Sequence, residues 1–283
     1  MIEKTTDKLK IYQFANLADD GSIRHFVTTR AGGFSASPYD SLNLGLHVGD
    51  DPENVIRNRS RLAAEMEIPL SYFTFAKQVH GSRVAVISQQ MRGAGSLDYE
   101  TDIADTDAMI TDAEDVCLMI LVADCVPILF HDPVKRVVGA AHAGWKGTVQ
   151  QITSKVITAM TSTFGSDSSD ILIGIGPSIG QCCYHVGEEV VSQVEQNLSK
   201  EFIHRNDAEE ISFDLWEANR AQLLDSSVPD TNIEVARICT CCNSDRFYSY
   251  RCEGLTGRFG AGIMLRNEIC ASCTAIHCNW CNK

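Results

Sequence analysis

No stretch of this chain approaches the roughly 18 consecutive apolar residues that a membrane span requires, so no membrane role is expected. Met1 to Lys10 is polar and charged throughout, which excludes a secretory leader there and points to a cytoplasmic protein. Positive charge is scarce as well: 24 Lys and Arg stand against 37 Asp and Glu, for a formal net charge of −13. Phosphate backbones are gripped by a surplus of Lys and Arg, so nucleic acid is not the expected partner and small molecules are. The chain also lacks an internal repeat and a clear linker, and its histidines form no local zinc pattern such as H-E-x-x-H. It is silent on oligomeric state.

Apolar residues and cysteines are abundant. With 283 residues, 44% of them hydrophobic, the chain can bury a large core. Without a leader, its 12 cysteines read as thiols available to a metal rather than as a disulfide framework. Cys117, Cys125, Cys182 and Cys183 lie mid-chain, and eight more crowd into the last 45 residues.

The organising stretch is Leu118 to Thr148. Three short apolar runs, Leu118 to Val122, Pro127 to Phe130 and Arg136 to Ala141, are separated by Asp124-Cys125 and by His131-Asp132-Pro133. Runs of this length bounded by turn residues are what buried strands look like. Cys125 and His142 therefore fall at strand ends, where a core meets solvent. His80, in Phe75 to Gly81, sits at a similar break, and the three are expected to converge.

The rest of the chain supplies the frame. Ile23 to Thr29 reads as a strand, followed by a polar loop to Asn43-Leu44-Gly45 that is long enough to suggest a role. Asp51-Pro52 is a helix start, with the helix running to about Glu67. Thr74 to Val79 and Arg83 to Ser88 read as paired strands around His80-Gly81. Val149, Ile152, Val156, Met160 and Phe164 recur at helical spacing, predicting one helix over Gly147 to Phe164. Ile171 to Ile175 reads as a buried strand and Glu188 to Asn197 as a helix. Asp214 with Glu217 has capping-box spacing and opens a helix toward Leu224. Ile233 to Ile238, Phe247 to Tyr250 and Phe259 to Leu265 close the frame as strands. Intermixed strands and helices without a linker predict a single α+β domain.

His, Cys and His are the nitrogen and sulfur donors that suit zinc when a fourth position is left open, the arrangement of catalytic zinc. Such a metal lowers the pKa of bound water to roughly 7 and polarises an oxygen. Against this stands the plainer reading, in which a cysteine in an apolar run is a small buried hydrophobe. A histidine near a turn is then simply solvated or bound to a carbonyl. The small residues around His142 in Ala141-His142-Ala143-Gly144, and Asp124 beside Cys125, favour the site. Asp124 is either an acid–base group or a turn residue.

The motifs Lys77 to Gly81 (KQVHG), Asp105 to Thr111 (DTDAMIT), Ala123 to Cys125 (ADC), His142 to Thr148 (HAGWKGT), Gly176 to Gly187 (GPSIGQCCYHVG) and Phe247 to Arg258 (FYSYRCEGLTGR) together resemble one family. It is the YfiH family, also labelled multicopper polyphenol oxidase or laccase-domain proteins, with the FAMIN-like purine nucleoside phosphorylases. The resemblance covers about Phe26 to Leu265. It implies mixed β-sheets sandwiched between helices, similar to the catalytic domain of cytotoxic necrotizing factor, and a metal held by His80, Cys125 and His142. It also implies phosphorolysis of adenosine, inosine, guanosine and methylthioadenosine, with adenosine deamination beside it. Purine nucleosides and phosphate are then the expected partners. Asn43, Lys77, Gln78 and Arg258 fall in matching motifs and are expected to face the same cleft. Asp124 and Cys125 are the expected catalytic residues. Where the family reads Arg-Arg-Asp, this chain has Arg251-Cys252-Glu253.

Two other classes of chemistry are open. A His₂Cys trio also binds copper, which outcompetes zinc if offered, so polyphenol oxidation is the first alternative. None of the eight histidines is two residues from another, unlike the His-x-His pairs of cupredoxin-like laccases. A Cys-dependent hydrolase with Cys125 as nucleophile and His142 as base is the second. The catalytic domain is placed at residues 1–266, with a Cys-rich tail at 267–283. That tail carries Cys270, Cys273, Cys278 and Cys281, lacks apolar periodicity and is expected to add little to the core. A second metal there is the alternative.

Overall fold

The three apolar runs of the central stretch fold as the strands Cys117–Val122, Val126–Asp132 and Val137–Ala143, every residue of which is buried. Burial on both faces is why these strands read as continuous apolar runs rather than as alternating ones. In the computed structural model, which describes residues 1–18 and 21–267, the strands are divided between two sheets.

The first sheet orders its six strands Ile2–Thr5, Lys10–Gln13, Ile23–Thr28, Phe259–Leu265, Cys117–Val122 and Phe73–Thr74. The second orders Ile233–Val235, Leu172–Ile175, Val126–Asp132, Val137–Ala143, Ala108–Thr111 and Val84–Val86. Successive residues of a strand point to opposite faces, and the core follows that period. Leu118, Ile120 and Val122 of the first sheet meet Leu129, Val138 and Ala140 of the second in a layer between the sheets. Cys117, Met119 and Leu121 face the other way, against Leu62, Ala63 and Met66 of the helix Pro52–Met66. The outer face of the second sheet packs Val126, Ile128, Ala141 and Ala143 under the helices Trp145–Val149, Ile152–Phe164, Glu188–Asn197 and Leu215–Asp225. The result is helix, sheet, sheet, helix, the α+β sandwich that was expected.

Local signals explain most boundaries. Asp51 caps the first long helix by accepting the Glu53 N–H, with Pro52 at the first helical position. Asp214 accepts the N–H groups of Trp216 and Glu217, as its spacing suggested. Five expectations are corrected. Thr74 to Val79 and Arg83 to Ser88 do not pair: Phe73–Thr74 joins the first sheet and Val84–Val86 the second. The backbone between them, at residues 79 to 81, donates instead to the Asp107 carboxylate. The single helix over Gly147 to Phe164 is two, because Gln151 turns to φ 60° between them. Of the strands expected at Ile233 to Ile238 and Phe247 to Tyr250, one is shorter and the other absent. The former ends at Val235, and the latter is a turn leading into the short helix Tyr250–Glu253, capped by Ser249. Cys241 and Cys252 form a disulfide where thiols were expected; the other described cysteines are free. The tail cysteines Cys270, Cys273, Cys278 and Cys281 lie outside the described residues. Among the described residues no helix is long and apolar enough to cross a membrane.

One buried group gives the fold a pH dependence. His25 is only 3% exposed, and its Nε2 accepts the Phe14 N–H at 2.9 Å. Burial holds this imidazole down to about 4 from an ordinary 6.5. Between those values the unfolded chain binds a proton that the folded one refuses, so the His25 contribution is full above 6.5 and is lost as pH falls toward 4. Urea unfolding at about pH 7.5 and about pH 5 should lose about 2 kcal/mol more in the native protein than in His25→Asn, which keeps an acceptor. Equal losses would show that another group carries the acid sensitivity.

Candidate active site

Strand register assembles the site. Ala108 pairs with Ala141, so one step further along the same antiparallel ladder sets Asp107 opposite His142. Val126 pairs with Ala143, so one step further sets Cys125 opposite Gly144. His142 shares its strand parity with Val138 and Ala140 and therefore points between the sheets, at the rim where that layer opens. His80 comes from the third direction, on the turn held by Asp107.

The side-chain nitrogens of His80 and His142 and the Cys125 sulfur all lie within 4.8 Å of one another. The two imidazoles meet edge to face, with centroids 4.8 Å apart. Gly144 keeps this space open: a Cβ there would lie 3.0 Å from both Cys125 Sγ and His80 Cδ2. Asp107 Oδ1 lies 2.8 Å from His142 Nδ1, which leaves Nε2 for the centre of the trio. The same carboxylate accepts the backbone N–H groups of His80 (3.0 Å) and Gly81 (2.7 Å). Asp107 thus sets one histidine's orientation through its ring and the other's through its backbone.

Burial opposes a charged thiol, yet the charge of His142 and hydrogen bonds from both imidazoles outweigh it and bring Cys125 down to about 6. Burial likewise opposes a charged His142, and the Cys125 thiolate with the Asp107 hydrogen bond raises it to about 9. Without a metal, the thiolate and the imidazolium favour one another. The same attraction favours a thiophilic cation between one anionic sulfur and two ring nitrogens, so the donor set fits zinc or copper. Asp107→Asn should weaken zinc binding about 10- to 100-fold, measured by competition with a chromophoric chelator. An unchanged affinity would mean that the carboxylate does not orient the ligands.

The trio lines a cavity of about 530 Å³, in the range of small-molecule sites. Its walls carry the rings of Trp145, Tyr184 and Tyr250, the guanidinium groups of Arg251 and Arg258, and His47. Burial first, then the charges of Arg258 and Arg59, hold His47 down to about 4, so it is neutral near pH 7. Arg251 donates to the His185 carbonyl at 2.6 Å and lies 5.1 Å from the Tyr184 ring centre.

Of the expected residues, Gln78, Asp124 and Arg258 line this cavity and Asn43 and Lys77 do not. Asn43 is fully buried, and its amide accepts the Arg258 N–H and donates to Asp50. Lys77 pairs with Glu100 at 2.8 Å. Gln78 spends both ends of its amide on the Leu121 backbone. Asp124 holds its backbone at φ 89°, a conformation that costs a non-glycine residue roughly 1–3 kcal/mol. Its carboxylate accepts from Thr240 Oγ1, Ser249 Oγ and the Arg251 N–H, at 2.7, 2.7 and 2.6 Å. Asp107, His47, Tyr184 and Tyr250 were not singled out from sequence, and Arg251 was named only for the altered motif it opens. Asp107 and Arg251 stand inside motifs already quoted, and His47 lies two residues past the end of the loop noted for its length.

Residues 24–266 match the family described as multi-copper polyphenol oxidoreductase laccase. A relative named purine nucleoside phosphorylase YlmD, from Geobacillus stearothermophilus, is 40% identical over 246 residues, 86% of this chain and 90% of that one. The adenosine deaminase of an unknown prokaryotic organism is 34% identical over 245 residues, 85% of this chain and 93% of the other. The crystal structure of YlmD from Geobacillus stearothermophilus superposes with a TM-score of 0.88 at 37% identity, covering 93% of this chain and 98% of that one.

Proposed function

The chain belongs to the multi-copper polyphenol oxidoreductase laccase family, and from that premise we propose that it is a zinc-dependent purine nucleoside phosphorylase. Adenosine, inosine, guanosine and methylthioadenosine are the proposed substrates, with adenosine deamination as a second activity. The names of its relatives support an enzyme of nucleoside chemistry. The observation that carries the reading is a His₂Cys trio lining one cavity with Trp145, Tyr184, Tyr250, Arg251 and Arg258.

Aromatic rings offer a purine a face to stack on, and Arg251 and Arg258 offer phosphate charge-assisted hydrogen bonds. In phosphorolysis a phosphate oxygen bonds to the ribose anomeric carbon while the bond to the purine nitrogen breaks. The electron pair leaves with the base, which must be protonated. Neutral His47 can donate a hydrogen bond without adding charge to the cationic wall. Asp124 spends its oxygens on the 240–251 segment, so in this proposal it chiefly positions Arg251 and Tyr250. Asn43 likewise positions Arg258. When bound at His80, Cys125 and His142, zinc would supply Lewis acidity.

Purified protein incubated with inosine should release hypoxanthine and ribose 1-phosphate only when phosphate is present. Adenosine should additionally yield ammonia without phosphate. Absence of free base with every nucleoside at saturating phosphate would overturn the proposal. The His₂Cys donor set also supports copper-dependent polyphenol oxidation, testable by comparing zinc- and copper-loaded protein on a phenolic substrate. The Cys125–His142 ion pair supports a thiol hydrolase, which would keep its activity after chelation.

A further inference from the structure

A second group of sulfurs lies outside the trio. The Sγ atoms of Cys182, Cys183, Cys239 and Cys242 are all within 4.8 Å of one another. Cys242 Sγ lies 3.6 Å from Cys182 Sγ and 3.4 Å from Cys183 Sγ. Four thiolates around one zinc at bonds of about 2.3 Å would stand about 3.8 Å apart along the edges of a tetrahedron. The observed contacts are close to that edge, and far beyond the roughly 2.05 Å of a sulfur–sulfur bond. Cys241, inside the same Cys239-Thr240-Cys241-Cys242 run, is instead bonded to Cys252. Its neighbours are thereby left facing the adjacent Cys182-Cys183 pair.

The surroundings are those of a built ligand set. Cys239 and Cys242 have the C-x-x-C spacing in which one turn presents two sulfurs to a metal. The two segments are already laced together, since Ser178 N donates to the Ile238 carbonyl and Thr240 N to that of Ser178. Cys239 is buried while Cys182 and Cys242 are exposed, which gives an ion a way in.

We propose that Cys182, Cys183, Cys239 and Cys242 form a second, tetrathiolate metal site that takes zinc. Binding exchanges thiol protons for the metal, and no electrons move. With four protein ligands the site is closed to substrate, so its role is structural. It clamps two segments of the cavity wall, one carrying Ile179 and Tyr184, the other carrying the Thr240 and Ser249 that hold Asp124 and leading on to Arg251.

The test must silence every other cluster of thiols. In the full-length chain, Cys270→Ser, Cys273→Ser, Cys278→Ser and Cys281→Ser remove the tail sulfurs and Cys125→Ala removes the trio. After equilibration with zinc under reducing conditions, elemental analysis should find about one zinc per chain. X-ray absorption should show four sulfurs at about 2.3 Å. Adding Cys242→Ser should abolish that zinc. Should this last variant fail to fold, the absorption spectrum of its parent still decides. A parent without zinc, a shell containing nitrogen, or a Cys183–Cys242 disulfide in peptide maps of protein kept reduced would each overturn the proposal.

Discussion

Cys125→Ala should lose the zinc of the trio and lower kcat/KM for inosine phosphorolysis by about three orders of magnitude, comparable to removing a key electrostatic stabiliser. Cys125 is the one anionic ligand of the three, and His80 and His142 alone leave zinc two donors short of a tetrahedron. The substitution also takes away the anionic sulfur that faces His142, whose ring is held by Asp107. Both effects act at the same point, so added zinc should not rescue the variant. Cys125→Ala with full phosphorolysis would show that the metal mechanism is wrong. Intact zinc with lost activity would instead assign Cys125 a direct chemical role.

Arg59→Met should destabilise the fold by about 3–5 kcal/mol, since each buried acceptor left unpaired costs about 1–3 kcal/mol. Arg59 is 2% exposed, on the inner face of the Pro52–Met66 helix. Its guanidinium donates to the carbonyls of Leu44 (2.8 Å), Gly95 (2.6 Å) and Ser96 (3.0 Å) and lies 3.8 Å from the centre of the Phe75 ring. Methionine restores the volume and none of the donors, so three buried acceptors lose their partner. Burial lowers this guanidinium to about 10, still protonated at neutral pH. The Leu44 contact also anchors the loop that brings His47 to the cavity. Denaturant unfolding reads the loss, and a change under about 1 kcal/mol would show that water can replace the guanidinium.

What the sequence made legible follows from the range of each signal. Convergence of His80, Cys125 and His142 was readable because buried strands end where polar residues begin. Motif membership could not tell which side chains turn into the cavity. Asn43 and Lys77 belong to matching stretches, yet one amide supports the Arg258 backbone and the other side chain pairs with Glu100. Asp107 entered only as part of the Asp105 to Thr111 motif; the register with Ala141 places it against His142. The break at Gln150–Gln151 carries no glycine or proline, so the apolar period ran across it undisturbed. The tetrathiolate pairs cysteines more than fifty positions apart, which cysteine spacing cannot show.

The hydrogen bonds of Asp107 have a consequence for how a metal and this protein respond to one another. Zinc fingers gain their fold from the ion, because their ligands are scattered until it arrives. Here the ring of His142 and the turn bearing His80 are fixed by a carboxylate that itself belongs to the sandwich. A metal entering such a socket acts as a late passenger on a finished frame. Its stabilisation then grows only as the logarithm of its free concentration above Kd, about 1.4 kcal/mol per tenfold. The ion carried in a cell would thus reflect the local supply and exchange of metals rather than the order in which the chain folded.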